Sequence, residues 1–395
     1  MGAATATRVA DLHRRLFLHG CTAPDRPGAD GNARAARHSG RRRDDGDAEP
    51  VLHARDLAAL DVPAQARGGD AAQLANDRAA DALATLERLA ALGVHSPVEQ
   101  SPEFAALQGT KEFQAVAKKI AANLRPQGRG EIAFSLPGMT GVIEGVAWRE
   151  KTGEFFFGDP HHRGVWVRTP GAKGDAQVRR FTPEGEELWG VLGLAVDEAN
   201  GVLWAATAAV PAMAGFMPPQ DGTAGLAEID LATGAVRRVI PVVRGAGDRH
   251  SHVLGDLALG PDGSVYVPDS GAPVVWRLAP GGAALERLVE STEFLSLQGA
   301  AVSRDGSALW VADHANGLLR IDLASLAVSR PESPANTTLL GLEALVRAPN
   351  GNLIAVQNGV RPTRVLRIAL DASGEGHKWE HVLQLKNRTW YESGV

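Results

Sequence analysis

Histidine and aspartate side chains crowd both ends of the segment RHSHVLGDLALGPDGSVYVPDSG, residues 249–271. His250, His252 and Asp256 precede one apolar run, and Asp269 follows a second one. An imidazole exchanges protons near neutral pH, and imidazoles and carboxylates are common ligands of divalent cations. If the two ends of the segment meet in space, these residue types predict proton transfer, metal binding or both.

The residues between these ends form a predicted β-hairpin. Asp-Gly at 262–263 separates two runs in which apolar residues alternate, namely Leu257 and Leu259 before the turn and Val265 and Val267 after it. Asp-Gly between alternating apolar runs is a strong hairpin signal, because Gly readily adopts the positive φ that the tight turn needs.

The hairpin recurs five times from residue 131 onward. The glycines of its turns lie 43 to 62 residues apart, and they are Gly153, Gly201, Gly263, Gly306 and Gly351. A third strand follows each hairpin and a fourth follows most of them, which is the pattern of a β-propeller. The expected fold class is therefore mainly β, with a β-propeller over residues 131–395.

The number of blades depends on how the ring closes. The predicted strand 131–136 precedes the first hairpin and would form the outer strand of the closing blade, which protects the sheet edges. Only ten residues follow the last predicted strand, and they supply at most two short strands. A five-bladed ring with an unusual closure is one alternative, but we expect a six-bladed propeller whose closing blade is incomplete.

The segment before the propeller is predicted to be helical over residues 76–127. Leucines recur at three-residue spacing from Leu83 to Leu92, and Thr110 caps a further amphipathic helix. The segment resembles the end of a tetratricopeptide array. A protein partner docking on the helices of 77–126 is one expectation.

Residues 1–75 are predicted to be a disordered, basic, low-complexity tail. The first 43 residues hold nine Arg and three Asp, whereas the whole chain carries a formal charge of −5. The acidic remainder argues against nucleic acid as a partner, and no apolar run is long enough to span a membrane. The cellular compartment stays undecided. The protein is cytoplasmic by default, but export, to the periplasm or as a lipoprotein, is an alternative because Leu-x-Gly precedes the single Cys21.

In a propeller, the start of the first strand and the end of the second strand of each blade lie together near the channel mouth. At the starts are Glu144, His250, His252, Asp256, Gln298 and Glu343. The ends carry His161, His162, Arg163, Asp313, His314 and Asn358, which are predicted to bind a small-molecule substrate. Carboxylates and imidazoles that converge in this way suit a divalent cation that polarises a carbonyl and activates water.

The propeller segment resembles the gluconolactonase, senescence-marker-protein and luciferin-regenerating-enzyme superfamily. The similar motifs are Glu144-Gly-Val-Ala-Trp148, Gly-Asp256-Leu-Ala-Leu-Gly-Pro-Asp-Gly263, Leu-Gln298-Gly, Val-Ala-Asp313 and Ala-Val-Gln-Asn-Gly-Val-Arg-Pro362. The resemblance implies lactone chemistry with one divalent metal, which a Glu, an Asn and an Asp bind at the starts of first strands.

Glu144 matches the Glu of that family. The equivalent positions in the other blades are neither Asn nor Asp: Leu192, Gly255, Gln298 and Leu342. Asp256 and Glu343 lie one position later, where strand alternation turns them to the other side. The expected metal ligands, for Ca²⁺, Zn²⁺ or Mn²⁺, are Glu144, Asp256, Gln298 and Glu343, with His250 and His252 as catalytic residues.

Three classes of function stay open, and the sequence leaves enzymatic activity undecided. The leading class is a metal-dependent hydrolase of a lactone or similar small ester. The alternatives are a non-catalytic ligand-binding propeller and a protein-interaction module, because propellers host all three. Bound divalent metal would favour the hydrolase.

Overall fold

The computed structural model describes most of the chain beyond residue 78: residues 79–128, 132–136, 138–171, 177–185, 187–331, 333, 336–370 and 378–384. The predicted basic tail, including Cys21, and residues 385–395 lie outside the described residues.

Within residues 79–128, two α-helices precede the sheets, α1 (Ala79–Ala91) and α2 (Lys111–Ala122). Short 3-10 turns at Val98–Gln100 and Pro102–Phe104 connect them. Thr110 begins α2 as predicted, because its Oγ1 accepts a hydrogen bond from the Phe113 amide at 3.2 Å. The apolar faces of the two helices pack on each other, and the tetratricopeptide-like assignment of this segment stays a prediction.

In the part of the chain that the structure describes, twenty strands form five four-stranded antiparallel sheets, each with its strands in sequence order. Blade 1 holds β1 (Val146–Arg149), β2 (Glu154–Asp159), β3 (Gly164–Thr169) and β4 (Gln177–Arg180). Blade 2 holds β5 (Gly190–Asp197), β6 (Val202–Ala208), β7 (Ala224–Asp230) and β8 (Val236–Pro241), with a 3-10 turn at Pro218–Gln220. Blade 3 holds β9 (Ala258–Leu259), β10 (Val265–Pro268), β11 (Val274–Leu278) and β12 (Glu286–Glu290). Blade 4 holds β13 (Leu297–Val302), β14 (Ala308–Asp313), β15 (Gly317–Asp322) and β16 (Val328–Ser329). Blade 5 holds β17 (Leu342–Arg347), β18 (Leu353–Gln357), β19 (Arg364–Ala369) and β20 (Lys378–Gln384).

Apolar clusters between neighbouring blades form the core. They join blade 1 to blade 2, blade 2 to 3, blade 3 to 4 and blade 4 to 5. Phe156 of blade 1 and Leu203 of blade 2 are fully buried in the first of these clusters. Each such side chain stabilises the fold by about 1.5–3 kcal/mol relative to an exposed one. The β-propeller expected from the repeated hairpins is therefore confirmed.

The blade number expected from the sequence was wrong. The described residues form five complete blades rather than five blades and part of a sixth. Of the segment 131–136, predicted as the outer strand of a closing blade, the described residues 132–136 form no strand. Instead, the Phe134 ring packs on Phe155 and Phe157, with ring centroids 4.9 and 6.1 Å apart.

The helical segment is joined to blade 5. The apolar cluster of α1 and α2 includes Val360 from the loop between β18 and β19. The His95 amide donates to the Arg361 carbonyl at 2.7 Å. Arg364 Nη1 donates to the carbonyls of Leu92 at 3.2 Å and Gly93 at 3.3 Å, just after α1. The helices therefore lie beside the end of β18, on the face where the predicted site residues lie.

Within the described part of the chain, no helix is both long and apolar enough to cross a membrane. Docking of a protein partner on 77–126 stays a prediction.

Candidate functional site

The first strands of the blades are irregular near the channel mouth. The pairing register shifts between Val191 and Leu194 in β5, and within 297–300 of β13 and 342–344 of β17. In blade 3 the pairing there is reduced to an isolated bridge between Leu254 and Asp269. Such bulges redirect side chains and are frequent beside functional sites.

The irregularity in β17 places Glu343 at the position of Glu144 and Gln298. Each of the three residues lies two positions before a first-strand residue that pairs with the second strand. The partner in the second strand lies two positions before that strand's polar last residue. These pairs are Val146–Phe157, Ala300–Val311 and Leu345–Ala355. This corrects the sequence alignment, which put Leu342 at that position and turned Glu343 away from the mouth.

Glycines allow neighbouring first strands to approach closely at this level. A Cβ on Gly193 would lie 2.5 Å from the Asp256 Cα, in the next blade. A Cβ on Gly299 would lie 2.4 Å from the Leu345 amide nitrogen and 2.7 Å from the Glu343 carbonyl oxygen. Since backbone atoms cannot yield locally, any larger residue here displaces the strand that carries the carboxylate.

Glu343 is the centre of the polar cluster. Asn358 Nδ2 donates a hydrogen bond to its Oε2, and His314 Nε2 lies 4.0 Å from its Oε1. The Glu144 side chain is partly exposed, but the protein around it removes much of the water from its carboxyl group. This desolvation, together with the charge of Glu343, raises the Glu144 pKa to about 7. Desolvation also raises the Glu343 pKa, although the bond from Asn358 opposes it, and burial lowers the His314 pKa.

Asp256 and Gln298 form a second polar group, between blades 3 and 4. Asp256 Oδ2 accepts a hydrogen bond from the Ala300 amide at 3.3 Å, and burial raises the Asp256 pKa to about 7. Gln298 is 8% exposed, and its Nε2 donates to Ser296 Oγ at 3.3 Å. Among the described residues, the buried Ser270 Oγ has no hydrogen-bond partner, and it adjoins the backbone of Gly255.

Binding of a divalent metal by Glu144, Asp256, Gln298 and Glu343 stays a prediction. Among the described residues, no group of three or more His, Cys, Asp and Glu side chains is placed to hold an ion. Glu144 and Glu343 interact, whereas Asp256 and Gln298 are engaged with other partners.

His252, predicted as a catalytic residue, is 1% exposed and lies between two aspartates. Its Nδ1 is 2.6 Å from Asp269 Oδ2 and its Nε2 is 3.1 Å from Asp248 Oδ2. Both ring nitrogens are therefore occupied, and neither is open to a ligand. His250 is exposed, and its Nδ1 lies 2.9 Å from Asp248 Oδ1.

The three predicted substrate residues of blade 1 are held by protein groups. His161 Nδ1 lies 2.8 Å from the Ala212 carbonyl, and Arg163 Nε donates to the Leu188 carbonyl at 2.8 Å. His162 Nδ1 lies 2.7 Å from Asp159 Oδ2. The structure does not bring these residues into the group around Glu343, whereas it does bring His314 and Asn358 there.

Asp313, also predicted to bind substrate, is fully buried. Its two oxygens accept hydrogen bonds from four backbone amides, at Leu295, Ser296, Ala315 and Asn316. Four donors saturate a carboxylate. The contacts therefore favour a role in shaping the loops around the mouth.

Sequence reasoning missed a repeated aspartate–histidine–tryptophan group. Asp159 accepts hydrogen bonds from Trp166 Nε1 and His162, and Asp269 from Trp276 Nε1 and His252. Asp159 is the last residue of β2 and Asp269 follows β10 directly, and in both blades the Trp lies seven residues after the Asp. That shared spacing was the available signal.

No protein-family model matches the chain, and no curated protein sequence matches it. Among solved structures, the chain is similar to a gluconolactonase from Xanthomonas campestris, with 19% identity, 60% of this chain and 74% of that chain covered, and a TM-score of 0.42. It is also similar to a catalytically inactive virginiamycin B lyase from Staphylococcus aureus with quinupristin. The identity is 15%, the match covers 64% of this chain and 73% of that chain, and the TM-score is 0.44. A chain of a nidogen–laminin complex aligns with 13% identity. The match covers 61% of this chain and 80% of that chain, and the TM-score is 0.44. The first of these bears the name of the family that the sequence motifs resemble, while the fold assignment rests on the five sheets of the chain itself.

Proposed function

We propose that the chain hydrolyses a lactone or a similar small ester at the channel mouth, with Glu343 and Glu144 as its acid–base pair. The observation that carries the proposal is the β17 register shift, which places Glu343 level with Glu144. Two carboxyl groups in one partly desolvated site can hold one proton between them, as acid–base hydrolysis needs.

The surroundings of the two carboxyl groups favour different protonation states. Asn358 Nδ2 donates to Glu343, and such a hydrogen bond stabilises the ionised carboxylate. Among the described residues, no side chain donates a hydrogen bond to Glu144, and its pKa of about 7 keeps it largely protonated below neutrality. Glu343 is therefore the base and Glu144 the acid.

The proposed reaction conserves atoms and charge. The Glu343 carboxylate takes a proton from water as the water oxygen bonds to the carbonyl carbon. The tetrahedral intermediate then breaks its bond to the ring or alkoxy oxygen, and Glu144 gives its proton to that oxygen. The product acid releases a proton, and the proton on Glu343 returns to Glu144 through solvent. Acid–base assistance of this kind contributes about 10²–10⁴-fold to rate.

The experiment is hydrolysis of a panel of γ- and δ-lactones by the full chain and by Glu343→Gln and Glu144→Gln. Each substitution is expected to lower kcat/KM by about a hundredfold, since each removes one proton-transfer group. The wild-type rate is expected to fall as the pH rises through about 7, where Glu144 loses its proton. Glu112→Gln, on the exposed surface of α2, is the matched control.

Unchanged turnover in both variants would sink the acid–base assignment. The same assay with a chelator tests the metal-dependent form of the hydrolase expected from the sequence. If chelation abolished turnover and Ca²⁺, Zn²⁺ or Mn²⁺ restored it, the two carboxylates would be ligands rather than proton carriers.

A further inference from the structure

Two consecutive histidines, His161 and His162, lie in the turn between β2 and β3 with their rings in contact. The ring centroids are 4.8 Å apart, and the ring planes meet at 86°. In an extended strand, neighbouring side chains point to opposite faces and would not meet in this way. The turn, in which Arg163 adopts a left-handed φ of 55°, brings the two rings together. Backbone of this kind outside Gly is strained and is frequent at ligand sites.

The hydrogen bonds of both rings determine which nitrogen carries the proton. His161 Nδ1 lies 2.8 Å from the Ala212 carbonyl oxygen, which can only accept, so Nδ1 is the donor. His162 Nδ1 lies 2.7 Å from Asp159 Oδ2, an oxygen that also accepts from the Trp166 indole at 3.2 Å. In the neutral form of each ring, Nε2 is therefore the nitrogen with a lone pair.

Both Nε2 atoms are available to a ligand. Among the described residues, no hydrogen bond or ion pair engages Nε2 of His161 or of His162. The His161 side chain is exposed and the His162 side chain is 34% exposed, so solvent reaches both rings.

Blade 3 holds the equivalent aspartate–histidine–tryptophan group in a closed form. Its histidine, His252, has Nδ1 2.6 Å from Asp269 Oδ2 and Nε2 3.1 Å from Asp248 Oδ2. That ring is only 1% exposed. In blade 1, the described residues place no carboxylate at Nε2 of His162, and the His161 ring lies beside it. The group of blade 1 is therefore the open one.

The partners of Nδ1 are those that metal-binding histidines have. A histidine that binds a metal through one nitrogen usually donates its other N–H to a carboxylate or a backbone carbonyl, which orients the ring and raises its basicity. His162 does so to Asp159, and His161 to the Ala212 carbonyl. Imidazole ligands suit Cu²⁺, Ni²⁺ and Zn²⁺, whereas Ca²⁺ and Mg²⁺ take oxygen ligands.

We propose that His161 and His162 bind one transition-metal ion of the Cu²⁺, Ni²⁺ and Zn²⁺ class through Nε2 of both rings. The described residues place no group of three or more His, Cys, Asp and Glu side chains to hold an ion, so water completes the coordination. The Ala214 amide also donates to the His161 carbonyl at 2.9 Å, so the ion connects the loop after β6 to the end of β2. The site is independent of the proposed hydrolysis, because it uses neither Glu144 nor Glu343.

The test is calorimetric titration of the full chain with Ni²⁺ at neutral pH, compared with His161→Asn, His162→Asn and the double variant. Asn keeps a donor near the position of Nδ1 but has no Nε2. Each single variant is expected to weaken one Ni²⁺ site by at least about tenfold. Because the two rings share one ion, the double variant is expected to lose that same site and no second one. The chain holds twelve histidines, so the readout is the difference from wild type.

His250→Asn is the matched control, because His250 is also exposed and its Nδ1 lies 2.9 Å from Asp248 Oδ1. It is expected to bind Ni²⁺ as the wild type does. Unchanged binding in His161→Asn and His162→Asn would overturn the proposal, and so would an equal loss in His250→Asn. Loss of one ion in each single variant and two in the double variant would show separate rings, which also contradicts it.

Proton NMR tests the site in the unchanged chain, so the result does not depend on how the variants fold. Ni²⁺ is paramagnetic and broadens the proton signals of the rings that bind it. Signals of His161 and His162 are expected to broaden together at the lowest Ni²⁺ concentrations, whereas Ca²⁺ is expected to leave them unchanged. Broadening confined to other histidines would overturn the proposal. Neither experiment involves lactone turnover, so this site and the hydrolase assignment can fail separately.

Discussion

His252 shows how one buried residue can combine features of a catalytic group with a structural role. Burial alone lowers its pKa, but the hydrogen bonds and charges of Asp269 and Asp248 outweigh burial and raise it. With a carboxylate at each ring nitrogen, both nitrogens donate and the ring is an imidazolium. Asp248, bonded by the His250 backbone amide and by both histidines, has its pKa lowered to about 2. The ion pair fixes the loop that leads into β9.

The first residue-scale prediction concerns the dependence of stability on pH. A raised folded-state pKa means that the stabilisation by His252 is complete below its ordinary pKa of about 6.5 and is lost as the pH rises through the raised value. His252→Gln is expected to lower the free energy of unfolding by about 3 kcal/mol at pH 6 and by less at higher pH. Denaturant unfolding across this range measures both quantities.

His161→Gln is the control, because His161 is exposed and faces a carbonyl rather than a carboxylate. If the wild type and His252→Gln lose stability with pH at the same rate, the imidazolium assignment is wrong.

At the scale of elements, the candidate site depends on irregular first strands. Ideal alternation would send Glu343 to the far side of β17, and the register shift returns it to the level of Glu144. Gly299 then makes room for that part of β17, since its missing Cβ would meet the Glu343 carbonyl and the Leu345 amide. One bulge and one glycine in the neighbouring strand together position the proposed base.

Gly299→Ala tests this arrangement. The added Cβ would overlap backbone atoms of β17, so we expect a loss of about 2 kcal/mol in unfolding free energy, as for other overpacked sites. We also expect lower lactone turnover, because β17 must move with Glu343. Thermal or urea unfolding and the hydrolysis assay measure the two effects.

Gly245→Ala provides the comparison, since a Cβ there meets nothing within 4 Å. Equal behaviour of the two variants would show that β17 accommodates the methyl group without strain.

At the scale of the whole molecule, Arg364 joins the helical segment to the propeller. Its guanidinium is fully buried, and burial lowers its pKa to about 10. Nε donates to Gln357 Oε1 at 2.8 Å, while Nη1 reaches the carbonyls after α1. The helices are therefore fixed to blade 5, close to Asn358 and the proposed base.

Arg364→Leu is expected to release the helices from blade 5. It leaves the Leu92 and Gly93 carbonyls and the Gln357 amide oxygen without their donor, at a cost of about 3 kcal/mol. Amide hydrogen exchange is expected to become faster in α1 and α2 and in the loop around Val360, but not in blades 2 and 3. Arg304→Leu, in an exposed turn of blade 4, serves as the reference. Unchanged protection of α1 and α2 would mean that apolar packing alone holds them.

The sequence by itself determined the repeating unit. Alternating apolar residues around turn glycines such as Gly263 specify a hairpin locally, because the turn and the alternation depend only on neighbouring residues. Five such units predicted a propeller, and Thr110 predicted the start of α2 for the same local reason. The candidate residues Glu144, Glu343, His314 and Asn358 were all identified from their places at strand ends.

Only the tertiary structure decided which of the polar residues lie together. His252 and Asp313 look like ligands in the sequence, but their partners, Asp248 and the amides of 295 and 296, depend on how loops fold over the sheets. The register shift at Glu343 lies in the pairing of β17 with β18, and no local pattern in the sequence encodes it. The number of blades in the described residues and the exposure of Val146 and Val346 are likewise properties of the assembled sheets, because burial is decided by what packs against a strand and not by the strand alone.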